Sequence, residues 1–309
     1  MQIDIIGAGA LGLLFGGKLA ASGVPVRFWT RTAEQAEKLN KEGIRLTEAD
    51  GSTTVVHGKR FKALPAGESG VPERAAEWLV LTTKQRHIDA KLLSFLKQIV
   101  GPETKVVCFQ NGIGHLELIG KALPGIPLYA AITTEGAKRL DECSVNRAGQ
   151  GTTQIGANGD MADLESHAES FVKLLVKAGF TALLSKDIGR EVYRKLLINA
   201  VINPLTALWR LNNGQLLEND ERMGLLQQLC DEGLQVYEAY GIPHDADMFN
   251  QIVKVCRSTS TNISSMLKDV QQGAPTEIDQ INGKIVEMAR SKGVAVPGHE
   301  MVWRLVRAL

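Results

Sequence analysis

A chain of 309 residues, 44% of them hydrophobic, is long enough for two ordinary domains with separate cores. Thirty-five basic residues against thirty-four acidic ones leave a formal charge of +1, which excludes bulk attraction to nucleic acid or to an anionic membrane surface, so recognition has to be local. No stretch is apolar and uncharged for the length of a membrane span, and MQIDIIGAGALG lacks the features of a signal peptide, so a cytoplasmic protein is expected. From Gln2 to about Leu184, short apolar runs alternate with longer amphipathic ones, the pattern of βαβ units around a parallel sheet. Strands are predicted at Ile3–Ile6, Val26–Thr30, Trp78–Leu81, Val106–Phe109 and Leu128–Ala131. Helices are predicted at Leu11–Ala21, Ala33–Glu42, Lys91–Ile99 and Leu116–Leu123, with a hairpin around Asp50-Gly51. Ser144–Asn146 and Thr152–Ile155 read as short strands joined by a Gly149/Gly151 turn, and the helix Leu164–Lys177 closes this half. After Asp187 the period becomes helical, as in Leu226, Leu229, Gly233, Val236, Tyr237 and Tyr240. The fold class is therefore α/β: an N-terminal Rossmann-type parallel-sheet domain over 1–184, followed by an all-helical C-terminal domain over 185–309.

Gly7-Ala8-Gly9-Ala10-Leu11-Gly12 follows an apolar strand and opens a helix, the context in which GxGxxG is a dinucleotide-binding turn. Gly7 permits the turn, Gly9 lets backbone approach a pyrophosphate, and Gly12 allows close helix–strand packing. At the end of the second strand stands Trp29-Thr30-Arg31-Thr32, with no carboxylate for a ribose 2′-hydroxyl. Arg31 instead offers a planar fork suited to a 2′-phosphate, with Thr30 and Thr32 as supplementary donors, which points to NADPH/NADP as cofactor. Lys84 and Asn111 lie where two further strands should end. Lys84 can reach a phosphate or an acidic substrate, or be simply solvated; Asn111 can serve the nicotinamide ribose or a reacting carbonyl.

If Arg190–Trp209 is helical, Lys195, Asn199 and Asn203 at i, i+4 and i+8 form a narrow polar stripe on an apolar rod. The stripe lines a wet cleft or is an ordinary solvent face; both readings remain open at this point. Pro204 should kink or break the helix. Thr276 is placed to cap the helix running toward Ser291, with Asp279 completing a capping box and Glu277 in its first turn, where a carboxylate suits the helix dipole on its own account. Asn262 and Ser265 are explained by local capping or by ligand contact. Cys108, Cys143, Cys230 and Cys256 show no CxxC spacing and read as free buried thiols. His87 and His115 have no second ligand at metal-binding spacing and read as surface or packing residues, so no metal is expected.

GAGALG from Gly7, Arg31, TTK ending at Lys84, QNGIG around Asn111, RKLLINAVINPLTALW around Lys195, Asn213-Gly214, NISSMLKD from Asn262 and PTEID around Glu277 run in an order and spacing that resembles the ketopantoate reductase (2-dehydropantoate 2-reductase) family over nearly the whole chain. The resemblance implies NADPH on the Rossmann domain, ketopantoate in a cleft between the domains, and formation of pantoate for pantothenate, the coenzyme A precursor. Carried over by position, it makes Lys195 the general acid and Glu277 the acidic residue beside it and the cofactor. It makes Asn111, Asn199, Asn203, Asn213, Asn262 and Ser265 substrate contacts. Gly7, Ala8, Gly9, Ala10, Leu11, Gly12, Arg31, Lys84, Asn111, Ala137 and Glu277 become cofactor positions. One departure stands: the family often has glutamine three positions after the strand-end lysine, whereas this sequence has His87 there and Gln85 one position on.

The implied chemistry suits the residues. A ketone oxygen that gains charge during hydride addition is stabilised by an ammonium, which then delivers a proton. Two other readings stand beside it: a related NAD(P)-dependent 2-oxo or 3-hydroxy acid dehydrogenase of the same plan, and a non-catalytic NADPH-sensing regulator. The Lys195–Asn199–Asn203 stripe argues against the regulator, which needs no proton donor. The partner is a small-molecule 2-oxo acid, with no nucleic acid or membrane; a homodimer is compatible with this reading.

Overall fold

A computed structural model describes all residues except 68, 69, 71 and 160–162, and the chain divides into two compact units. One comprises Met1–Gln110 with His115–Ile188, the other Asn111–Gly114 with Gly189–Leu309.

The first unit runs β1 (Ile3–Ile6), α1 (Ala10–Ala21), β2 (Val26–Thr30), α2 (Ala33–Glu42), β3 (Ile44–Thr47), β4 (Thr53–Val56), β5 (Phe61–Pro65) and β6 (Trp78–Leu81). It continues with α3 (Ala90–Ile99), β7 (Lys105–Cys108), α4 (His115–Ala122), β8 (Leu128–Thr133), β9 (Gly136–Arg139), β10 (Ser144–Gly149), β11 (Thr152–Ala157), α5 (Leu164–Lys177) and β12 (Thr181–Leu184). The large sheet has the order β12-β11-β8-β7-β6-β1-β2-β5, parallel except between β11 and β8. All four residues of β1 and of β6 are buried, as strands in a sheet covered on both faces must be, and the one charge among them, Asp4, accepts hydrogen bonds from Arg27 and Trp29. From β5 to β8 the order is that of a Rossmann sheet, and it reverses between β1 and β6, where such folds bind ligands.

A second sheet, β4-β3-β10-β9, lies on the other side of α1, which is why that helix is apolar all round. Gly16 faces Phe28 and Ile5 of the large sheet, Gly17 faces Leu46 and Ile44 of the small one, and a Cβ at Gly16 would come within 2.5 Å of the Phe28 ring. The predicted hairpin is β3–β4, turned by Asp50, whose Oδ1 accepts from the Ser52 amide at 2.9 Å. The predicted strands at Ser144 and Thr152 exist but do not pair: β10 belongs to the small sheet and β11 to the large one. Sequence reasoning missed β5, β9 and β12. The first and last of these are the two edges of the large sheet, where burial pattern is weakest; Pro65 ends β5 because an edge tolerates a missing donor.

The second unit is helical: α6 (Ile188–Trp209), α7 (Asp220–Tyr240), α8 (Met248–Ser258), α9 (Ser265–Gln271), α10 (Asn282–Lys292) and α11 (Pro297–Arg307). Its core is built from Leu197 and Val201 of α6, Leu229 and Tyr237 of α7, and Ile285 and Val302 from the last two helices. The expected face of α7 is buried except at Tyr240, which is exposed and shares a hydrogen bond with Ser291. Of the two outcomes expected at Pro204, a break does not occur: α6 continues to Trp209, and the carbonyl that Pro204 cannot bond is taken by a side chain from another helix, as described below. All four cysteines are buried and free, and among the described residues no helix is long and apolar enough to cross a membrane.

Candidate active site

In the first unit the glycine motif lies at the carboxyl end of β1. Gly7 has φ +100°, and a Cβ there would sit 2.8 Å from Cγ2 of Thr83. A Cβ on Gly12 would come within 1.9 Å of the Gly7 carbonyl, so only glycine lets α1 start this close to the strand. Gly9, by contrast, has none of the described residues within 4 Å of where its Cβ would be, and no described side chain caps α1 there. An open approach to uncapped first-turn N–H groups is what a dinucleotide pyrophosphate requires, so the residues present fit that group. Ala8 is buried, and Ala10 and Leu11 are half-buried along the same turn. Thr82, at the end of β6, donates its hydroxyl to the Gly7 carbonyl at 2.7 Å and ties the two strand ends together.

Arg31 is exposed directly after β2. The threonines beside it have local work instead: Thr30 is buried and donates to the Thr32 carbonyl at 2.8 Å, while Thr32 accepts from Gln35 N and caps α2. Lys84 precedes a 3₁₀ turn at Gln85–His87. The imidazole of His87 is held below its ordinary pKa by loss of hydration and then by Arg86, Arg31 and Lys84, with Asp89 opposing. Cations from the end of β2 and from the segment after β6 thus both act on the His87 imidazole. His115 is a buried packing residue, pushed down to about 4 by burial. Ala137 is half-buried in β9, against the core that surrounds α1.

In the second unit Lys195, Asn199 and Asn203 stand on successive turns of α6. Asn203 is buried and the other two half-buried. Burial pulls the Lys195 ammonium down to about 8, and the Glu277 carboxylate acts in the opposite sense. Glu277 is itself buried, and Asn111 donates its side-chain amide to Oε2 of Glu277 at 3.3 Å. Three residues far apart in the chain, Asn111, Lys195 and Glu277, thereby meet in one polar cluster.

The capping box expected around Thr276 does not form. Ile278–Gln280 is a separate 3₁₀ turn, α10 begins only at Asn282, and the Asp279 carboxylate accepts from the Trp303 indole at 2.7 Å. The first-turn explanation of Glu277 fails with it, because Ile281 (φ −110°, ψ −89°) breaks the helix before Glu277 is reached. Capping also fails for Asn262 and Ser265, both exposed: Ser264 is the cap of α9, accepting from the Leu267 amide at 3.0 Å and from the Thr206 hydroxyl at 2.7 Å. Asn213 is buried, donating to the Thr259 hydroxyl at 2.8 Å, and its backbone amide bonds the Asn262 carbonyl at 3.0 Å. It holds the 259–262 loop. Sequence reasoning overlooked Asn282, whose only signal was indirect: a proline inside a buried helix needs a donor from elsewhere.

A Rossmann-type unit with a glycine turn at its switch point, and a helical unit presenting a lysine of lowered pKa beside a buried carboxylate, define a Rossmann-type oxidoreductase. The chain belongs to the ketopantoate reductase family: residues 3–160 match Ketopantoate reductase PanE/ApbA, and residues 187–309 match its C-terminal counterpart. It is 33% identical to the 2-dehydropantoate 2-reductase of Pyrococcus horikoshii, over 100% of this chain and 97% of that protein. To the enzyme of the same name from Escherichia coli O157:H7 it is 31% identical, over 99% of this chain and 94% of that one. Among solved structures, D-mandelate dehydrogenase with NADH and anilino(oxo)acetate matches with TM-score 0.89 and 26% identity, covering 100% and 98% of the two chains. The 2-dehydropantoate 2-reductase from Methylococcus capsulatus matches with TM-score 0.84 and 25% identity, covering 100% and 96%.

Proposed function

We propose that this chain reduces the C2 ketone of 2-dehydropantoate (ketopantoate) to pantoate with NADPH, in the cytoplasm, as a step toward pantothenate. The observation that carries the reading is Lys195: an ammonium drawn down to about 8 by burial, beside Asn199, Asn203 and a buried Glu277. A group with this pKa is still largely protonated at neutral pH yet gives up its proton readily, as a general acid must.

NADPH, when bound, would supply the hydride that reduces the ketone carbon. Gly7 to Gly12 and the first-turn N–H groups of α1 would hold its pyrophosphate, while Arg31 and Lys84 would take the 2′-phosphate. Lys195 stabilises the charge growing on the ketone oxygen, transfers a proton to it, and is reprotonated from solvent. Glu277 keeps Lys195 charged against the cost of burial, and Asn111 orients Glu277. Asn199, Asn203, Asn213, Asn262 and Ser265 hold the substrate carboxylate and hydroxyl, fixing the carbonyl for attack.

The likeness to D-mandelate dehydrogenase with NADH favours a second reading, a sibling reductase of aryl 2-oxo acids that uses NADH. Steady-state kinetics with ketopantoate, phenylglyoxylate and short 2-oxo acids, each with NADPH and NADH, decide between them. Highest kcat/KM for ketopantoate with NADPH supports the first. A higher value for phenylglyoxylate with NADH supports the second, and no turnover of any pair leaves a nucleotide-binding regulator.

A further inference from the structure

Pro204 lies inside α6 and cannot donate to the carbonyl of Ala200, the acceptor four residues back. Ala200 is fully buried, so water has no access to fill the gap. The donor comes from another helix. Asn282, fully buried at the start of α10, places Nδ2 2.8 Å from the Ala200 carbonyl oxygen, and the same nitrogen lies 3.0 Å from Nδ1 of His299 in α11. Nε2 of His299 is 2.9 Å from the Leu229 carbonyl in α7. A carbonyl only accepts, so Nε2 carries the proton and Nδ1 is left as an acceptor for the second N–H of Asn282. Burial, which holds His299 at about 4, keeps the ring in that neutral form. The amides of Gly298 and His299 donate to the buried Glu232 carboxylate at 2.9 and 3.0 Å, so α11 is anchored on α7 at the same point.

The gap in the α6 ladder falls between Asn199 and Asn203, one turn beyond Lys195. We propose that Asn282 is a positioning residue, whose amide replaces the hydrogen bond that Pro204 removes and so keeps Lys195, Asn199 and Asn203 in one line. The catalytic half of this inference rests on the assignment of Lys195 as proton donor. Asn282 touches none of the reacting groups; it acts through the backbone of α6. Among the described residues its Oδ1 has no hydrogen-bond partner, consistent with an amide held for its two donors.

The test is a cycle of Asn282→Ala, Pro204→Ala and the double variant, with Tm, kcat, the KM for ketopantoate and the Kd for NADPH measured on each. Pro204→Ala restores an N–H facing Ala200 and should leave kcat within about threefold of wild type. Asn282→Ala should lower Tm by roughly 3–8 °C and kcat by about 10–100-fold, with the NADPH Kd unchanged. In the Pro204→Ala background the same substitution should cost less than half as much in Tm and no more than about fivefold in kcat. Equal costs in both backgrounds overturn the proposal, as does a loss of Tm with kcat untouched. Should Asn282→Ala fail to fold, recovery of folded, active double variant supports the proposal and its failure overturns it. Absence of ketopantoate turnover in the wild type overturns the functional reading instead, and the Tm cycle still decides whether Asn282 stands in for the lost bond.

Discussion

Asn111 donates its side-chain amide to Glu277 over 3.3 Å, joining residues 166 apart in sequence beside Lys195. The carboxylate so held favours the charged form of a lysine that burial would otherwise discharge. Glu277→Gln keeps the shape and removes the charge, so Lys195 should titrate below its present value of about 8. Because the protonated lysine is the active form, the alkaline limb of kcat should move to lower pH by about one unit or more. A pH–rate profile between 6 and 10 reads this directly; a limb that stays in place reduces Glu277 to a cofactor or packing contact.

Preference for NADPH over NADH is expected from Arg31, which follows β2 where no carboxylate is available to a ribose. A charge-assisted bond to phosphate contributes roughly 1.5–3 kcal/mol, so Arg31→Ala should weaken NADPH at least about tenfold and leave NADH nearly unchanged. Fluorescence titration of both nucleotides measures it. Equal weakening of the two would remove Arg31 from the 2′-phosphate site.

Much of the first unit was legible because its central strands are buried on both faces and its helices start at recognisable turns. β1, β2 and β6 and the helices α2 and α5 have the limits expected from the sequence. The edges were not legible, since β5 and β12 are only partly buried: Lys62 interrupts the apolar run of β5, and β12 exposes Thr181 and Leu183. In the second unit the Lys195–Asn199–Asn203 stripe could be read from helical period alone. The contact of Glu277 with Asn111 could not, because it depends on a break in the chain at Ile281 that no capping rule signals. Ser264 and Ser265 show the same limit: one caps α9 and the other is exposed, and only the register of the helix start tells them apart.

Acid should destabilise both units. His115 in the first and His299 in the second are held near 4 by burial, against an ordinary value of 6.5. Between those values the unfolded chain binds protons that the folded one refuses, so stability falls as pH drops from about 6.5 toward 4. Each histidine accounts for on the order of 3 kcal/mol across that window. Urea midpoints at pH 7 and pH 4.5 should differ accordingly, and His115→Phe should flatten the dependence of the first unit. An unchanged slope in that variant would show that other groups carry the acid sensitivity.

Asn262→Ala and Ser265→Ala should raise the KM for ketopantoate with little effect on that for NADPH, since both side chains are exposed in the helical unit and Ser264 does the capping. Ser264→Ala is the contrast: it should lower Tm, because it removes the cap of α9 and the buried hydrogen bond that ties α9 to the Thr206 hydroxyl of α6. If Ser265→Ala instead lowered Tm and left both KM values alone, its place among the substrate contacts would be lost.

Lys195 bears the heaviest claim, and its variants are the most decisive. General acid catalysis contributes about 10²–10⁴-fold, and stabilisation of the developing alkoxide adds to it. Lys195→Ala should therefore lower kcat by at least about 100-fold while NADPH binding stays nearly intact. In the wild type, kcat should fall as pH rises through about 8, where the half-buried Lys195 ammonium loses its proton. The stability consequence has the opposite sign. Its folded pKa lies below the ordinary 10.5, so the unfolded chain holds the proton longer, and stability should rise between about 8 and 10.5 as activity falls. A simple alkaline unfolding cannot produce that pairing. Retention of more than about a tenth of wild-type kcat by Lys195→Ala would mean that another group delivers the proton. The glycine turn and the family would stand, and the role given to Lys195 would not.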